Sequence, residues 1–183
     1  VKPAGKPLRV VVFGPESTGK TSLARFLAGA LGEPCAPEHV RLFWDEHGGV
    51  IGAEDLNAIA RGQAEGEDRA DAAARRVCIL DTDLLTCVIW DDLLFPGRCP
   101  DWVRAEAERR ARDTDLFLLC LTDVPFEPDP QRCFPDAEGR AMCMRLWREM
   151  LVSRGLPFVE ITGDWVAREK AALAALSSLG VAS

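Results

Sequence analysis

Gly14-Pro15-Glu16-Ser17-Thr18-Gly19-Lys20-Thr21 lies between the apolar run Leu8-Arg9-Val10-Val11-Val12-Phe13 and an amphipathic segment. The spacing Gly-x-x-x-x-Gly-Lys-Thr is that of a phosphate-binding P-loop. Its glycines let backbone N–H groups converge on phosphate oxygens, and the helix that follows turns its positive end on the same anion. Lys20 then reaches the β and γ phosphates, and the Thr21 hydroxyl is placed to ligate Mg²⁺. The same letters also occur as a plain strand-to-helix turn. The flanks decide between the two. A buried-strand run precedes the loop, and Leu23, Phe26, Leu27, Ala30 and Leu31 follow at helical spacing, ending at Gly32, where a left-handed C-cap is expected.

Downstream, Glu33-Pro34-Cys35-Ala36-Pro37 predicts a short edge strand, because its prolines remove ladder donors. A helix is expected from near His39 to His47-Gly48-Gly49. Residues 53–76 carry Leu56, Ile59, Ala60 and Gln63 on one side, with Glu65/Arg69 and Asp71/Arg75 as i, i+4 ion pairs on the other. Val77-Cys78-Ile79-Leu80 reads as a buried strand ending in Asp81-Thr82-Asp83, with a helix from Leu84. Further helices are expected over 101–112 and 138–153 and from Asp164 to Leu179, with strands at 116–121 and 158–161. The proline-rich stretch between 122 and 137 is long enough to be a lid.

Strands alternating with helices, and apolar runs without period-two alternation, predict an α/β fold of the P-loop NTPase/kinase type. Its five-stranded parallel sheet has helices on both faces and an Arg-bearing lid over about 122–140. Residues 8–183 form that one domain, and residues 1–7 read as a linker or remnant. Gly14, Glu38, Asp81, Thr122 and Thr162 all follow strand ends, so the site should assemble there.

The net charge of −7 over 183 residues argues against nucleic-acid and anionic-membrane partners, which demand basic patches. Seven cysteines without a C-x-x-C pair favour reduced thiols in the cytoplasm over a disulfide framework or zinc site. No apolar run is long enough to cross a bilayer. Among P-loop classes, the guanine-reading Asn-Lys-x-Asp is missing, since the single asparagine is Asn57, followed by Ala58. AAA+ ATPases place a catalytic Glu after the strand-end Asp, whereas here the order is Asp81-Thr82-Asp83. A small-molecule kinase fits better, because phosphoryl transfer needs positioning, Mg²⁺ and a mobile cover bearing arginines such as Arg132 and Arg140.

Taken together, these residues resemble the ribosylnicotinamide kinase domain of the NadR type, over about residues 9 to 176. The resemblance rests on the loop at 14–21, Glu38 with Arg41, Ile59-Ala60-Arg61-Gly62-Gln63, Asp81-Thr82-Asp83-Leu84-Leu85-Thr86, Asp123-Val124-Pro125-Phe126, and Thr162-Gly163-Asp164-Trp165 with Arg168. The family has Glu-Tyr-Ala-Arg where this chain has Glu38-His39-Val40-Arg41, and Asp-Gly-x-Arg where it has Asp129-Pro130-Gln131-Arg132. The first departure replaces the family's tyrosine at position 39 with histidine, and the second stiffens the lid hinge. What the resemblance implies is transfer of the ATP γ-phosphate to the 5′-hydroxyl of nicotinamide riboside, with fusion to or association with an NMN adenylyltransferase. It further implies that ATP is held by Gly14, Glu16, Ser17, Thr18, Gly19, Lys20, Thr21 and Ser22 with Thr162 and Asp164. The metal falls to Thr21 and Asp81, catalysis to Lys20, Glu38, Asp81, Arg132 and Arg140, and the nucleoside to Glu38, Arg41, Gln63, Asp83, Trp90 and Phe126.

Several of these residues keep two readings. Glu38 either binds the ribose hydroxyls and takes the attacking proton or is a first-turn helix acid. Asp83 is either a ligand or the N-cap of the helix at 84. Trp44, Trp90 and Phe126 either stack on a cationic ring or fill the core. Kinases for another nucleoside or metabolite, and an ATP-sensing module, remain the competing functions.

Overall fold

The computed structural model describes residues 6–181, so most of the expected linker at 1–7 lies outside the described residues. β1 (Leu8–Phe13) leads through the phosphate loop into α1 (Lys20–Leu31). There follow β2 (Cys35–Ala36), α2 (His39–Glu46), α3 (Leu56–Ala73), β3 (Val77–Asp81), α4 (Leu84–Leu94) and α5 (Asp101–Asp113). The chain closes with β4 (Leu116–Cys120), α6 (Ala137–Val152), β5 (Phe158–Ile161) and α7 (Trp165–Ser178). The five strands are all parallel, in the order β2-β3-β1-β4-β5. This is the P-loop NTPase fold that the sequence predicts.

The strand period of two sorts the core into two layers. Val10 and Val12 of β1 join Ile79 and Leu118 against α1 and α7, while Val11 and Phe13 join Leu80, Phe117 and Leu119 against α3 to α6. With helices on both faces, neither side of β1 needs polar residues, which is why its apolar run is continuous. Val10, Val11, Val12 and Phe13 are fully buried, each worth about 1.5–3 kcal/mol relative to exposure. β2 pairs with β3 through only Cys35 and Ala36, because Pro34 and Pro37 bracket it. α1 ends at Gly32 in the left-handed conformation, φ 63°.

One expected surface feature is corrected. Glu65 and Arg69 do pair at 4.0 Å, but α3 ends at Ala73, so Arg75 lies past the last turn. Its backbone N–H donates to Glu33 and its Nη2 to the Gly32 carbonyl. Asp71 accepts instead from Arg9 Nη1, at 2.9 Å. Arg9 and Arg110 also converge on the fully buried Glu67, at 3.0 and 3.1 Å. Glu67 accepts from Gln63 Nε2 at 3.4 Å, and Gln63 Oε1 accepts from the His39 backbone N–H at 3.0 Å. A buried ion cluster thus fixes where α2 begins, and with it Glu38.

All seven cysteines are free thiols, with Cys78, Cys99, Cys120 and Cys143 buried. Among the described residues no helix is long and apolar enough to cross a membrane.

Candidate active site

The loop between β1 and α1 closes tightly on neighbouring elements. Gly14 has φ 144°, and a Cβ there would meet the Cys120 carbonyl oxygen at 2.7 Å. Gly19, φ 79°, lies under Trp165, whose ring a Cβ would meet at 2.4 Å. Both positions therefore require glycine. Gly19 is also the N-cap of α1 and offers no side-chain bond to its first turn, which leaves those N–H groups for an anion. Lys20 is buried, and its Nζ donates to the Pro15 carbonyl at 2.7 Å. The Thr18 hydroxyl donates to the same oxygen at 2.9 Å.

Asp81 ends β3 beside Lys20. Burial raises its carboxyl above the usual range, while Lys20 and a hydrogen bond with the Thr21 hydroxyl oppose that rise. Its Oδ1 is shut off from water without a partner. A hydroxyl and a carboxylate oxygen lacking a donor suit a hard cation that draws its remaining ligands from phosphates and water, as Mg²⁺ does. Among the described residues no cluster of three His, Cys, Asp or Glu groups could hold a metal unaided. Thr82, next in the chain, has φ 69°. That costs a non-glycine residue strain of order 1–3 kcal/mol and turns it into the cavity.

Glu38 is half-buried at the N-terminus of α2. Burial raises its carboxyl, and the charges of Lys20 and Arg41 pull against that. Arg41 Nε donates to it at 3.2 Å. Lys20, Glu38, Arg41, Gln63 and Thr82 line one cavity of about 200 Å³, whose walls also include Trp44, Trp90, Ile51, Leu56, Leu94 and Phe95. The structure thus brings four of the expected nucleoside residues, Glu38, Arg41, Gln63 and Trp90, into one space. Trp90 sits at its edge, partly packed edge-on against the core ring of Trp147 at 5.0 Å.

Asp83 and Phe126 are not among the lining residues. Asp83 caps α4, accepting from Thr86 N at 3.3 Å. Burial and the nearby charge of Glu67 push its carboxyl up to about 7. Between about pH 4, where an unfolded aspartate titrates, and pH 7 the folded chain holds a proton that the unfolded chain releases. Wild-type stability from this group therefore falls as pH rises through that window. Asp83→Asn keeps a capping oxygen and removes the charge. Its melting temperature relative to wild type should rise from pH 4 to pH 7.5, and a flat difference would show that the carboxyl is not perturbed.

The expected lid is pinned to the phosphate loop. Glu16 accepts from the backbone N–H groups of Cys133 and Phe134, at 3.0 and 2.6 Å. Ser17 Oγ accepts from Glu127 N at 2.8 Å and Arg132 Nη1 at 3.3 Å. Phe126 lies between Arg132 and Arg140, 5.7 and 5.5 Å from their guanidinium carbons. Arg140 donates to the Thr122 and Val124 carbonyls. Among the described residues neither arginine has a carboxylate within ion-pair distance, and each Nε is buried without a partner. Neither lid arginine is thus held by a direct ion pair among the described residues, and Arg132 lies beside the loop.

On the far side of the loop, Thr162 Oγ1 and Gly163 N both donate to Asp123 at 2.6 Å, and Asp164 caps α7. Arg168 was not anticipated as a site residue on its own. It is fully buried and donates to the carbonyls of Thr18, Leu121 and Gly163, at 3.1, 3.1 and 2.8 Å, and to Asp123. Its signal was there to find: Arg168 shares a helical stripe with Ala172 and Leu176, both buried. Asp91 was also missed. It lines the cavity from within the apolar run of α4.

A family model described as "AAA domain" matches residues 9–168. NadR protein in complex with NR has the same fold, with a TM-score of 0.80 and 22% identity over 94% of this chain and 51% of that one. The chain therefore spans about half the length of that structure. Deoxyadenosine kinase from M. mycoides with bound dATP aligns at a TM-score of 0.60 and 10% identity, over 93% of this chain and 99% of that one. A gluconokinase from Sinorhizobium meliloti aligns at 0.52 and 16%, over 96% and 94%. At these identities the likeness is one of fold. No curated protein sequence matches the chain.

Proposed function

The chain belongs to the AAA domain family, and from that premise we propose that it is a kinase moving the γ-phosphate of ATP to the 5′-hydroxyl of nicotinamide riboside, giving nicotinamide mononucleotide. Within that family the kinase reading is supported by Thr82, which follows Asp81 where AAA+ ATPases place a catalytic glutamate. The observation that carries the kinase reading is a single cavity joining Lys20 and Glu38 to Trp44 and Trp90. It offers a phosphoryl-transfer group and aromatic rings to one small acceptor. The fold likeness to NadR protein in complex with NR supports the choice of nucleoside.

In this reading the N–H groups of the loop and Lys20 hold the β and γ phosphates. Thr21 and Asp81 would hold Mg²⁺, which supplies neutralisation of the phosphate charge. Glu38 orients the ribose. The acceptor oxygen attacks the γ-phosphorus, the bond from that phosphorus to the β–γ bridging oxygen breaks, and ADP leaves with the electron pair. The hydroxyl proton passes to Glu38 or to water, since a loose transition state needs little help from a base. Arg132, without a direct ion pair, meets the charge on the transferring group. Coupling to an NMN adenylyltransferase belongs to the same proposal, because that activity consumes the product.

The fold shared with deoxyadenosine kinase and a gluconokinase favours one second reading, a kinase for another nucleoside or metabolite. Purified protein with ATP·Mg²⁺ and a panel of acceptors, read by mass spectrometry, separates the two. Nicotinamide riboside should be turned over at least tenfold more efficiently than any other member, and a better acceptor would overturn the assignment.

A further inference from the structure

We infer that Asp91 reads the head group of the acceptor, admitting an aromatic ring that is cationic and bears an N–H donor and rejecting the same ring bearing a carboxylate. This rests on the kinase reading for the choice of nucleoside and goes beyond it in naming the residue and the discrimination.

Asp91 lies two helical turns into α4 from its cap, about 12 Å at 1.5 Å per residue. It is 5% exposed, yet it lines the cavity together with Trp44, Trp90, Leu94 and Phe95. Its Oδ2 is buried without a partner among the described residues. A carboxylate placed so deep costs several kcal/mol unless something compensates it. The compensation inside the protein is thin. The Cys99 thiol hydrogen-bonds the carboxylate, Arg104 is engaged by Asp92, and Asp92 itself adds a like charge. Burial pushes the Asp91 carboxyl up to about 6, so it is an anion at pH 7.5.

The cations that line the cavity, Lys20, Arg41 and Arg132, belong to the phosphate loop, α2 and the lid. Lys20 donates to Pro15, Arg41 to Glu38 and Asp129, and Arg132 to Ser17. Asp91 therefore shares its cavity with apolar and aromatic residues and has no direct ion pair among the described residues. A flat cation beside the tryptophan rings matches its negative charge, and an amide N–H supplies the missing donor. A carboxylate in the same place meets a like charge with little water to screen it, and specificity of this kind comes from the repulsive element.

The test uses tryptophan fluorescence, since Trp44 and Trp90 line the same cavity, with nicotinamide riboside and its analogue carrying a carboxylate in place of the carboxamide. Wild type should bind the amide at least tenfold more tightly than the acid at pH 7.5. Asp91→Asn, which can donate to a carboxylate, should narrow that ratio to threefold or less while leaving the KM for ATP within twofold. Asp91→Ser provides the same comparison should the first variant fail to fold, and melting curves report folding. An unchanged ratio in a folded variant overturns the inference. If nicotinamide riboside is phosphorylated but the ratio ignores position 91, this inference fails and the kinase reading stands. Discrimination that depends on position 91, without turnover, supports the inference and removes the kinase reading. Failure of wild type to bind either nucleoside overturns both.

Discussion

Lys20→Ala is expected to lower kcat by about 10³-fold, with the protein still folded. One preorganised cationic contact to a transferring phosphoryl group is worth about 3–4 kcal/mol, which sets that size. The structure adds a second reason. Lys20 is the largest opposing influence on the burial-raised carboxyls of both Glu38 and Asp81. Without it, both acids rise further and hold their protons more readily, so the grip on metal and on ribose weakens together. The variant should therefore need more Mg²⁺ and more acceptor to reach its reduced rate. Steady-state product formation against Mg²⁺ and acceptor concentration, with a melting curve beside it, checks the prediction. A variant within tenfold of wild type would show that the loop does not carry the chemistry.

The elements of the fold were legible because each rests on local signals that tertiary packing reinforces. Gly32 ends α1 in the left-handed conformation, and Pro34 and Pro37 confine β2 to two residues. Asp83, Asp136 and Asp164 each cap the helix that follows. The sheet order was not legible, since β4 lies beside β1 through long crossovers that no local pattern encodes. Side-chain partners were legible only within one helix. Glu65 and Arg69 pair as their spacing predicts, but Asp71 is claimed by Arg9, sixty-two residues away.

The same division runs through the site. The loop and strand-end acids were visible because chain order places them at one edge of a parallel sheet. Phe126 has the right residue type for stacking, yet it lies between two arginines of its own lid. Asp91 was overlooked, and Arg168 entered only through the resemblance and without a role, because each looks like an ordinary helix charge until the face it occupies is known to be buried.

Arg168→Ala carries the largest expected effect on stability, a loss of about 3 kcal/mol or more, because three backbone carbonyls lose a buried donor at roughly 1–3 kcal/mol each. The guanidinium is fully buried and ties the phosphate loop at Thr18 to the end of β4 at Leu121 and the turn at Gly163. Removing it takes a donor from three carbonyls at once and leaves Asp123 with its bonds from Thr162 and Gly163 alone. Burial alone would raise Asp123, but bonds from Thr162 and Gly163 and the charge of Arg168 outweigh that and hold it below the usual range. A depressed carboxylate adds stability above its unfolded value of about 4, and that stability is lost as pH falls through the folded value. Wild type should thus lose part of its advantage over Arg168→Ala as pH drops below about 4. Since Thr18 belongs to the phosphate loop, the variant should also bind ADP more weakly, in proportion to the slackening of the loop. Denaturant unfolding at pH 7.5 and pH 3.5, with ADP titration at the higher value, reads both effects. A variant that loses stability equally at the two pH values would show that Asp123 draws its depressed titration from Thr162 and Gly163 alone. One that binds ADP as tightly as wild type would show that the loop keeps its shape without the arginine.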